Sequence, residues 1–250
     1  MMVIKIGGNV VDDAERRAAL LDAIAAKRGP VVLVHGGGKV ATELAERMGV
    51  EQTMVDGRRI TDAETLRIVT MVYGGLINKT LVAELQARGV DAVGLTGADG
   101  DLIRAHKRVH PERDYGFVGN VDRVNVNLLT TLANAGLTVV CAPLTHDGNG
   151  TILNTNADTI AREIAVALST VTTTELSYIF EHKGVLRDVS DPDSAIATLS
   201  RSEAQAYVDE GVITAGMLPK LDNAFAAAER GVARVRITRW DDLDGGTQIV

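Results

Sequence analysis

A glycine-rich turn at residues 36–38 is the feature of this sequence around which chemistry could be organised. An apolar strand over residues 31–34 leads through a histidine into Gly36, Gly37 and Gly38, and a helix is predicted over 39–47. Glycines let the backbone approach an anion closely, and a helix N-terminus offers N–H groups and a favourable dipole. The pattern favours phosphate binding, with a plain strand-to-helix turn as the alternative.

A second glycine turn follows the first strand of the chain, which contains a lysine. The predicted strand 3–6 leads into Gly7 and Gly8, and Lys5 lies inside its apolar run. A lysine is rarely buried without a partner. We therefore expect the Lys5 ammonium to reach a cleft or a charge, the alternative being an edge position that points to water.

Two further groups of polar residues have spacings that suit ligand binding. Arg58 and Arg59 lie in a predicted hairpin, where they could hold a carboxylate through bidentate contacts or form a solvated basic edge. Asn154 and Asn156 alternate in an extended segment, so both amides project from one face. Asp158 follows in the first turn of a helix, where capping alone would also explain an acidic residue.

The second half of the chain adds a cation and a polar loop. Lys220 lies in the first turn of a predicted helix, a position that disfavours a cation and so indicates a facing anion, or a tolerated surface lysine. Glu181, Lys183 and Gly184 follow the predicted strand 175–180. Open parallel sheets bind ligands at such strand ends.

The elements that must position these residues alternate between strands and helices, which predicts a parallel sheet with right-handed crossovers. The predicted strands of this sheet cover 3–6, 31–34, 92–96, 138–143, 175–180, 234–238 and 247–249. The predicted helices cover 11–27, 39–47, 62–73, 78–88, 125–135, 159–168, 202–210 and 221–230. The break at Gly74 and Gly75 and a cap at Ser202 are part of this prediction.

Composition narrows the function classes. The chain has 250 residues, a net charge of −7 and no basic block, which disfavours nucleic-acid binding. No apolar run approaches the ~20 residues of a membrane span, and the N-terminus has no signal-peptide pattern. The single cysteine, Cys141, fits a reducing cytoplasm. We find no metal-ligand spacing and assign no residue as a metal ligand.

Six motifs occur in an order and spacing that resemble the amino-acid kinase family over almost the whole chain. They are VIKIGG at 3–8, VHGGG at 34–38, GRRIT at 57–61, AVGLT at 92–96, LNTNAD at 153–158 and GMLPK at 216–220. The resemblance implies an α/β fold, a three-layer α/β/α sandwich with an open, mainly parallel central sheet. It also implies a single domain with an acyl-amino-acid-binding and dimerisation lobe over 1–150 and a nucleotide-binding lobe over 151–250.

The resemblance further implies an ATP- and Mg²⁺-dependent phosphotransferase that acts on the γ-carboxylate of an N-acyl-L-glutamate. Lys5 and Lys220 match lysines that stabilise the transferring phosphoryl group, and Asp158 matches the aspartate that holds them. Phosphate contacts are expected from Gly7, Gly8, Gly36, Gly37 and Gly38. Substrate contacts are expected from Gly37, Gly38, Arg59 and Asn154. Nucleotide contacts are expected from Glu181, Lys183, Gly184, Met217 and Lys220.

Some features of the resemblance leave alternatives open. The family commonly has Thr-Asp or Ser-Asp where this chain has Phe180 and Glu181, which affects the expected nucleotide contacts. The acyl group could be N-acetyl or N-succinyl, the acceptor could be that of another family member, or the chain could be a non-catalytic regulator.

Arginine-inhibited relatives carry a helix before the first strand, which here begins at about Val3. We therefore expect an arginine-insensitive homodimer.

Overall fold

An eight-stranded sheet forms the centre of this computed structural model, which describes residues 1–27, 29–55, 58–213 and 217–250. The predicted hairpin turn at 56–57 and Gly216 of the last motif lie outside the described residues. The described strands are Met2–Ile6 (β1), Val31–His35 (β2), Met54–Val55 (β3), Arg58–Arg59 (β4), Ala92–Leu95 (β5), Ile103–Lys107 (β6), Gly119–Val124 (β7), Thr138–Cys141 (β8), Leu144–His146 (β9), Ile152–Asn154 (β10), Glu175–Phe180 (β11), Thr198–Leu199 (β12), Arg234–Arg239 (β13) and Thr247–Ile249 (β14).

The helices connect these strands and lie mostly where the sequence predicts them. The described α-helices are Gly8–Val11 (α1), Ala14–Ala25 (α2), Gly38–Arg47 (α3), Ala63–Val69 (α4), Asn78–Gln86 (α5), Val126–Asn134 (α6), Ala157–Ser169 (α7), Arg201–Asp209 (α8) and Leu218–Glu229 (α9). A π-helical segment, Thr70–Ile77, joins α4 to α5, and a short 3₁₀ turn, Asp99–Asp101, precedes β6.

The main sheet has the order β12-β14-β13-β11-β1-β2-β8-β5. The six strands from β13 to β5 pair in parallel, and β14 runs antiparallel to β13. Strand β1 therefore lies in the middle, between β2 and β11. A smaller sheet, β10-β9-β6-β7, and the hairpin β3-β4 flank the carboxyl ends of the parallel strands, where the polar segments lie.

Two buried apolar clusters cover the two faces of the sheet, which confirms the predicted three-layer α/β/α sandwich. One cluster joins α6, α7, α8 and α9 to the sheet, and the other joins α1 to α5. Strand alternation decides which side each residue of β1 faces. Val3 packs in the first cluster and Ile4 and Ile6 in the second, so Lys5 shares the α7 side with Val3.

Three predictions of helix boundaries were wrong. The predicted helix 11–27 is two helices, because the Asp13 side chain accepts hydrogen bonds from the N–H groups of Glu15 and Arg16 and starts α2 anew. The cap of α8 is Ser200, whose side chain forms a capping box with Glu203, rather than Ser202. Helix α9 begins at Leu218, with a proline in its first turn.

The predicted break at Gly74 and Gly75 was also wrong, because helical structure continues through both glycines as the π-helical segment. The resulting run Ala63–Gln86 has 24 residues, and its most apolar window has a mean hydropathy of 1.2. Length and composition alone would thus allow it to cross a membrane. This is weak evidence, because a buried core helix passes the same test, and 44% of that window is buried.

Candidate active site

The carboxyl ends of three adjacent parallel strands, β1, β2 and β11, define the candidate site. Ile6 is opposite His35 on one side of β1 and opposite Ile179 on the other, so all three strands end at the same level. The turns that follow them are therefore neighbours. This is the edge at which open parallel sheets bind ligands.

Lys5 and Asp158 form a buried ion pair at this edge. The Lys5 Nζ lies 2.7 Å from the Asp158 Oδ1, and their side chains are only 7% and 15% exposed. Lys5 points to the α7 side of the sheet, and Asp158 lies in the first turn of α7, which packs on β1. A buried ammonium is costly without a counter-charge, so the carboxylate explains how an apolar strand accommodates a lysine.

Lys220 joins this pair from the first turn of α9, and an aromatic ring lies beneath both lysines. The Lys220 Nζ is 4.4 Å from the centre of the Phe180 ring, and the Lys5 Nζ is 5.8 Å from it. Burial lowers the pKa of Lys220, and the positive charge of Lys5 lowers it further, whereas Asp158 and Glu181 oppose both effects. The three predicted catalytic residues thus come together.

The two glycine turns adjoin each other across β1 and β2. The Gly36 N–H donates to the Ile6 carbonyl at 3.0 Å. A Cβ atom on Gly36 would lie 3.6 Å from the Gly8 nitrogen. Helix α1 begins directly after Gly7, and Gly37 is the N-cap of α3. Backbone N–H groups of both helix starts are therefore close together, as a shared anion would require.

A buried histidine fixes the second turn. The His35 Nδ1 lies 2.8 Å from the Gly36 carbonyl oxygen, which can only accept, so Nδ1 carries the proton. The Nε2 atom then accepts from the Asn78 side-chain amide at 3.3 Å. Burial lowers the pKa of His35 from 6.5 to about 4, so the ring is neutral at pH 7. Sequence reasoning missed this role of His35.

The π-helical segment packs directly against the same turn. A Cβ atom on Gly37 would lie 2.3 Å from the Ile77 Cδ1 and 3.1 Å from the Tyr73 Cδ1. Gly37 also has a φ of +157°, close to the extended region. Close packing, rather than an anion alone, therefore explains why a glycine occupies this position.

Arg59 and Asn154 line the same cavity as the second glycine turn, and Thr61 links the two residues. The Arg59 Nη2 donates to the Gly38 carbonyl at 2.8 Å and to Thr42 Oγ1 at 2.9 Å, and its Nη1 donates to Gln52. The Asn154 amide donates to Thr61 Oγ1 at 3.0 Å, which donates to the Arg59 carbonyl at 2.9 Å. These bonds hold a buried guanidinium next to Gly38 in a fixed orientation.

The predicted nucleotide-binding residues follow β11 or lie at the start of α9, the helix that carries Lys220. The Glu181 carboxylate accepts from the Asn9 amide at 2.7 Å, which ties the end of β11 to the first glycine turn. Lys183 pairs with Asp193 at 2.6 Å. Gly184 packs against β14, because a Cβ atom there would lie 2.5 Å from Thr247 Oγ1. Met217 is the N-cap of α9. These contacts within the protein engage Glu181 and Lys183 and leave their nucleotide role a prediction.

Two cavities meet at Arg58. The first, of about 160 Å³, is lined by residues that include Gly36, Gly37, Gly38, Arg59 and Asn154. The second, of about 370 Å³, contains a cluster of three arginines, Arg58, Arg108 and Arg162, together with Asn120 and Glu163. Burial lowers the pKa of Arg58, and the nearby Arg108 lowers it further. Sequence reasoning missed this cluster, because its members are far apart in the chain.

Within the described residues, no group of three or more histidine, cysteine, aspartate or glutamate side chains is arranged to hold a metal ion. The site consists of two lysines, the nearby Asp158 and Glu181 carboxylates, two glycine turns and an arginine-lined cleft. Such an arrangement can neutralise and orient a polyanion next to a carboxylate. It contains the parts of a phosphoryl-transfer site.

The comparisons with known proteins agree with this chemistry. Residues 1–239 match the model of the amino acid kinase family, and the chain belongs to this family. Acetylglutamate kinase from Bacteroides fragilis is 55% identical over 251 residues, covering 100% of this chain and 96% of the relative. Acetylglutamate kinase from Bacteroides thetaiotaomicron is 56% identical over 238 residues, or 95% of this chain and 93% of the relative. The protein is therefore a kinase, an enzyme of the phosphotransferase class.

A solved structure supports the fold assignment. N-acetylglutamate synthase from Neisseria gonorrhoeae, solved with coenzyme A and N-acetyl-glutamate, has a TM-score of 0.82 at 25% identity. The match covers 100% of this chain and 59% of that one. The predicted resemblance to the amino acid kinase family is therefore confirmed at the level of sequence and of fold.

Proposed function

We propose that this protein is an acetylglutamate kinase, which transfers the γ-phosphoryl group of ATP to the γ-carboxylate of N-acetyl-L-glutamate. The product is N-acetyl-L-glutamyl 5-phosphate, in the second step of arginine biosynthesis. The buried ion pair of Lys5 and Asp158, 2.7 Å long and beside Lys220, is the observation that carries the proposal. A regulator that only senses ligands would have no need of two lysines at one carboxylate.

The reaction needs positioning and charge neutralisation rather than a general base. A γ-carboxylate has a pKa of ~4.3 and is ionised at pH 7. One of its oxygens attacks the γ-phosphorus, the bond from that phosphorus to the ADP oxygen breaks, and no proton moves. Lys5, Lys220 and the N–H groups of the glycine turns would neutralise the equatorial phosphoryl oxygens. Asp158 would keep the two ammonium groups close together and charged.

Mg²⁺ would enter as part of the MgATP substrate. This ion usually keeps several waters and binds through substrate phosphates rather than through a cage of protein ligands. That behaviour fits a site whose charged side chains are mostly cationic. In this proposal the nucleotide lies over residues 151–250, against Glu181, Lys183, Gly184 and Met217, and the acyl amino acid lies over residues 1–150.

Arg59 and Asn154 would bind the α-carboxylate of the substrate. Arg59 has five N–H donors, and the described contacts to Gly38, Thr42 and Gln52 involve three of them. Its guanidinium therefore keeps donors for a carboxylate, and Asn154 adds an amide on the same wall. This geometry favours an amino-acid acceptor over the acceptors of other kinases in the family.

The alternative substrate is N-succinyl-L-glutamate, although the relatives of this chain are acetylglutamate kinases. Arg58 lines both the substrate cavity and the neighbouring cavity that holds Arg108 and Arg162. An acyl chain that ends in a carboxylate would find cationic partners there, whereas an acetyl methyl group would not use them. The two candidates share the reaction and differ only in the acyl group.

An ATP-dependent hydroxamate assay tests both candidates. Purified protein is supplied with N-acetyl-, N-succinyl- or free L-glutamate, and the acyl phosphate is trapped with hydroxylamine. We expect turnover with at least one acylated substrate and little with free glutamate. Arg58→Ala should reduce use of N-succinyl-L-glutamate more than use of N-acetyl-L-glutamate if the second candidate holds. No activity with either acylated substrate would refute the proposed function.

We also propose that the protein is a homodimer in the cytoplasm. The helical run of α4 and the π-helical segment exposes Met71 and Leu76, whose exposed fractions are 50% and 59%. A second copy of the chain would bury them at a two-fold interface. Light scattering should give about twice 26.5 kDa for the wild type and a monomer for Met71→Glu. Val109→Glu, at an exposed loop residue, serves as the control.

The proposed location in the cytoplasm is supported by the single cysteine. Cys141 is buried and free, which fits a reducing compartment.

A further inference from the structure

Phe180 occupies a position that the proposed reaction does not yet explain. It is the last residue of β11, and its ring faces the ammonium groups of Lys220 at 4.4 Å and Lys5 at 5.8 Å. Both distances fall within the range in which the negative face of an aromatic ring attracts a cation. One ring therefore contacts both lysines of the site.

The ring is held in place from below. Phe180 stacks on Tyr178 with an interplanar angle of 15° and 6.5 Å between ring centres. The Tyr178 hydroxyl donates to the Asp158 carbonyl at 3.2 Å. The two aromatic side chains project from the same face of β11 because they are two residues apart. They join Asp158, through its backbone, to the surface on which the lysines lie.

The charges around Lys220 give the ring a task. Lys5 on β1 repels it, Asp158 on α7 attracts it, and Glu181 at the end of β11 attracts it. Asp158 is already bound to Lys5 at 2.7 Å, and Glu181 accepts from Asn9. Both attracting carboxylates are thus shared with other partners. A ring face can attract a second ammonium without adding a formal negative charge that would repel a phosphate.

We propose that Phe180 is a positioning residue that holds the Lys220 ammonium, in its charged form, beside the Lys5–Asp158 pair before the nucleotide binds. This inference deepens the proposed kinase function and rests on it for its catalytic consequence. A purely apolar wall would fill the same space. The electrostatic role differs from packing because it depends on the ring face and not on volume.

The first test measures the Lys220 pKa directly, by NMR titration of ¹³C-labelled lysine side chains assigned with Lys220→Arg. Phe180→Met and Phe180→Leu remove the ring, and Phe180→Trp keeps a ring face. Losing the attraction favours neutral lysine, so the pKa of Lys220 should fall by about 0.4 to 1.5 in the Met and Leu variants. Phe180→Trp should keep the pKa near the wild-type value or raise it.

The second test is kinetic. We expect kcat at pH 7 to fall about two- to tenfold in the variants without a ring, with the KM for the acyl-amino acid within about twofold of wild type. The alkaline limb of the pH–rate profile should move to lower pH, because the pKa of Lys220 falls. Phe225→Leu is the matched control: Phe225 is buried in α9, its ring centre lies 4.9 Å from the Arg201 Cζ, and among the described cation–ring contacts it has none with Lys5 or Lys220.

The outcomes separate this inference from the proposed function. A lower pKa of Lys220 without the ring, restored by tryptophan and absent in Phe225→Leu, supports it. An unchanged pKa in a folded Phe180→Met or Phe180→Leu variant overturns it, and so does a Phe180→Trp variant that folds but loses as much as Phe180→Leu. A wild type without kinase activity refutes the proposed function instead, and the NMR result still decides the role of Phe180.

Discussion

The two sides of the candidate site are built in different ways. The glycine side, formed by Gly7, Gly8 and Gly36–Gly38, is held mainly by the neutral His35 ring, the Asn78 amide and close packing on Tyr73 and Ile77, with the Arg59 guanidinium on the Gly38 carbonyl. The lysine side, formed by Lys5, Asp158 and Lys220, is held by an ion pair and an aromatic ring. Backbone donors need a rigid frame, whereas ammonium groups need a local environment that keeps them charged.

This difference predicts different failures. Changes on the lysine side should reduce turnover far more than they alter the backbone fold, although loss of Asp158 leaves the buried Lys5 ammonium without its partner and should lower stability as well. Changes on the glycine side should reduce stability and turnover together, because the same contacts hold the core and the turn. Five predictions test the comparison, beginning with the largest expected effect.

Lys220→Ala should retain the fold and lose kcat on the order of 10²–10³-fold, because one cation that faces the transferring phosphoryl group is removed. Steady-state kinetics and circular dichroism measure the two quantities. Lys27→Ala is the control, since Lys27 pairs with Asp244 away from the site. A Lys220→Ala variant within threefold of wild type would remove this lysine from the mechanism.

Acid should destabilise the glycine side through His35. The pKa is 6.5 in the unfolded chain and about 4 in the folded protein, so below pH 6.5 the unfolded state binds the proton more tightly. The free energy of unfolding should therefore fall as the pH decreases from about 6.5 to 4, by on the order of 3 kcal/mol.

Denaturant titrations between pH 4 and 7 measure this loss, with His35→Asn as the comparison. Asparagine can place a donor near the Gly36 carbonyl but does not titrate. The variant should lose most of the pH dependence in that interval. The same slope in both proteins would assign the acid sensitivity to other groups.

Asp158→Asn should reduce kcat about 10²-fold, because the nearly isosteric amide removes the counter-charge that the two lysines share. The far-UV spectrum should not change. Asp244→Asn breaks the Lys27–Asp244 pair, in which Asp244 is 78% exposed, and should have little effect. If Asp158→Asn turns over at nearly the wild-type rate, the carboxylate only stabilises α7.

Gly37→Ala should reduce both stability and turnover. Its Cβ would lie 2.3 Å from the Ile77 Cδ1 and 3.1 Å from the Tyr73 ring, and relieving that overlap should cost about 1–3 kcal/mol. Gly75→Ala is the matched control in the same region, because a Cβ there meets nothing within 4 Å. Equal thermal unfolding of the two variants would contradict the packing explanation.

Arg59→Lys should raise the KM for the acyl-amino acid about tenfold, because an ammonium group cannot bind a carboxylate and also keep the contacts of the guanidinium with Gly38, Thr42 and Gln52. The KM for ATP should change much less. Arg67→Lys is the control, since Arg67 is 73% exposed and pairs only with Glu64 among the described salt bridges. A larger effect on the KM for ATP would move Arg59 out of the proposed substrate site.

The sequence predicts the chemistry of the site better than its supporting residues. Lys5 and Lys220 are recognisable because each is unfavourable where it stands, one inside an apolar strand and one at a helix N-terminus. Phe180 carries no such signal, since an aromatic residue at the end of an apolar strand is ordinary. His35 could have been noticed as a polar residue that ends a buried strand, but its partner Asn78 is 43 residues away.

The main errors in the fold have a common cause. Gly74 and Gly75 indicate a break by local preference, yet the structure keeps a helix there, and Tyr73 and Ile77 of this helix pack on Gly37. The Ser200 cap was missed because Ser202 is an equally good cap by residue type. Local propensity identifies the strands and helices, and tertiary packing decides their ends.

The π-helical segment constrains how this part of the chain can change in length. Wide helical turns hold more residues than α-helical ones. Deleting one residue from Thr70–Ile77 would let the run close as a regular α-helix and would keep α5 near its present orientation about the helix axis, so Leu81 and Leu85 would stay in the core. A deletion within α5 itself has no wide turn to absorb it and would rotate the residues that follow by about 100°. The wide turns therefore make this segment the part of the helical run that can lose a residue with the least change in packing.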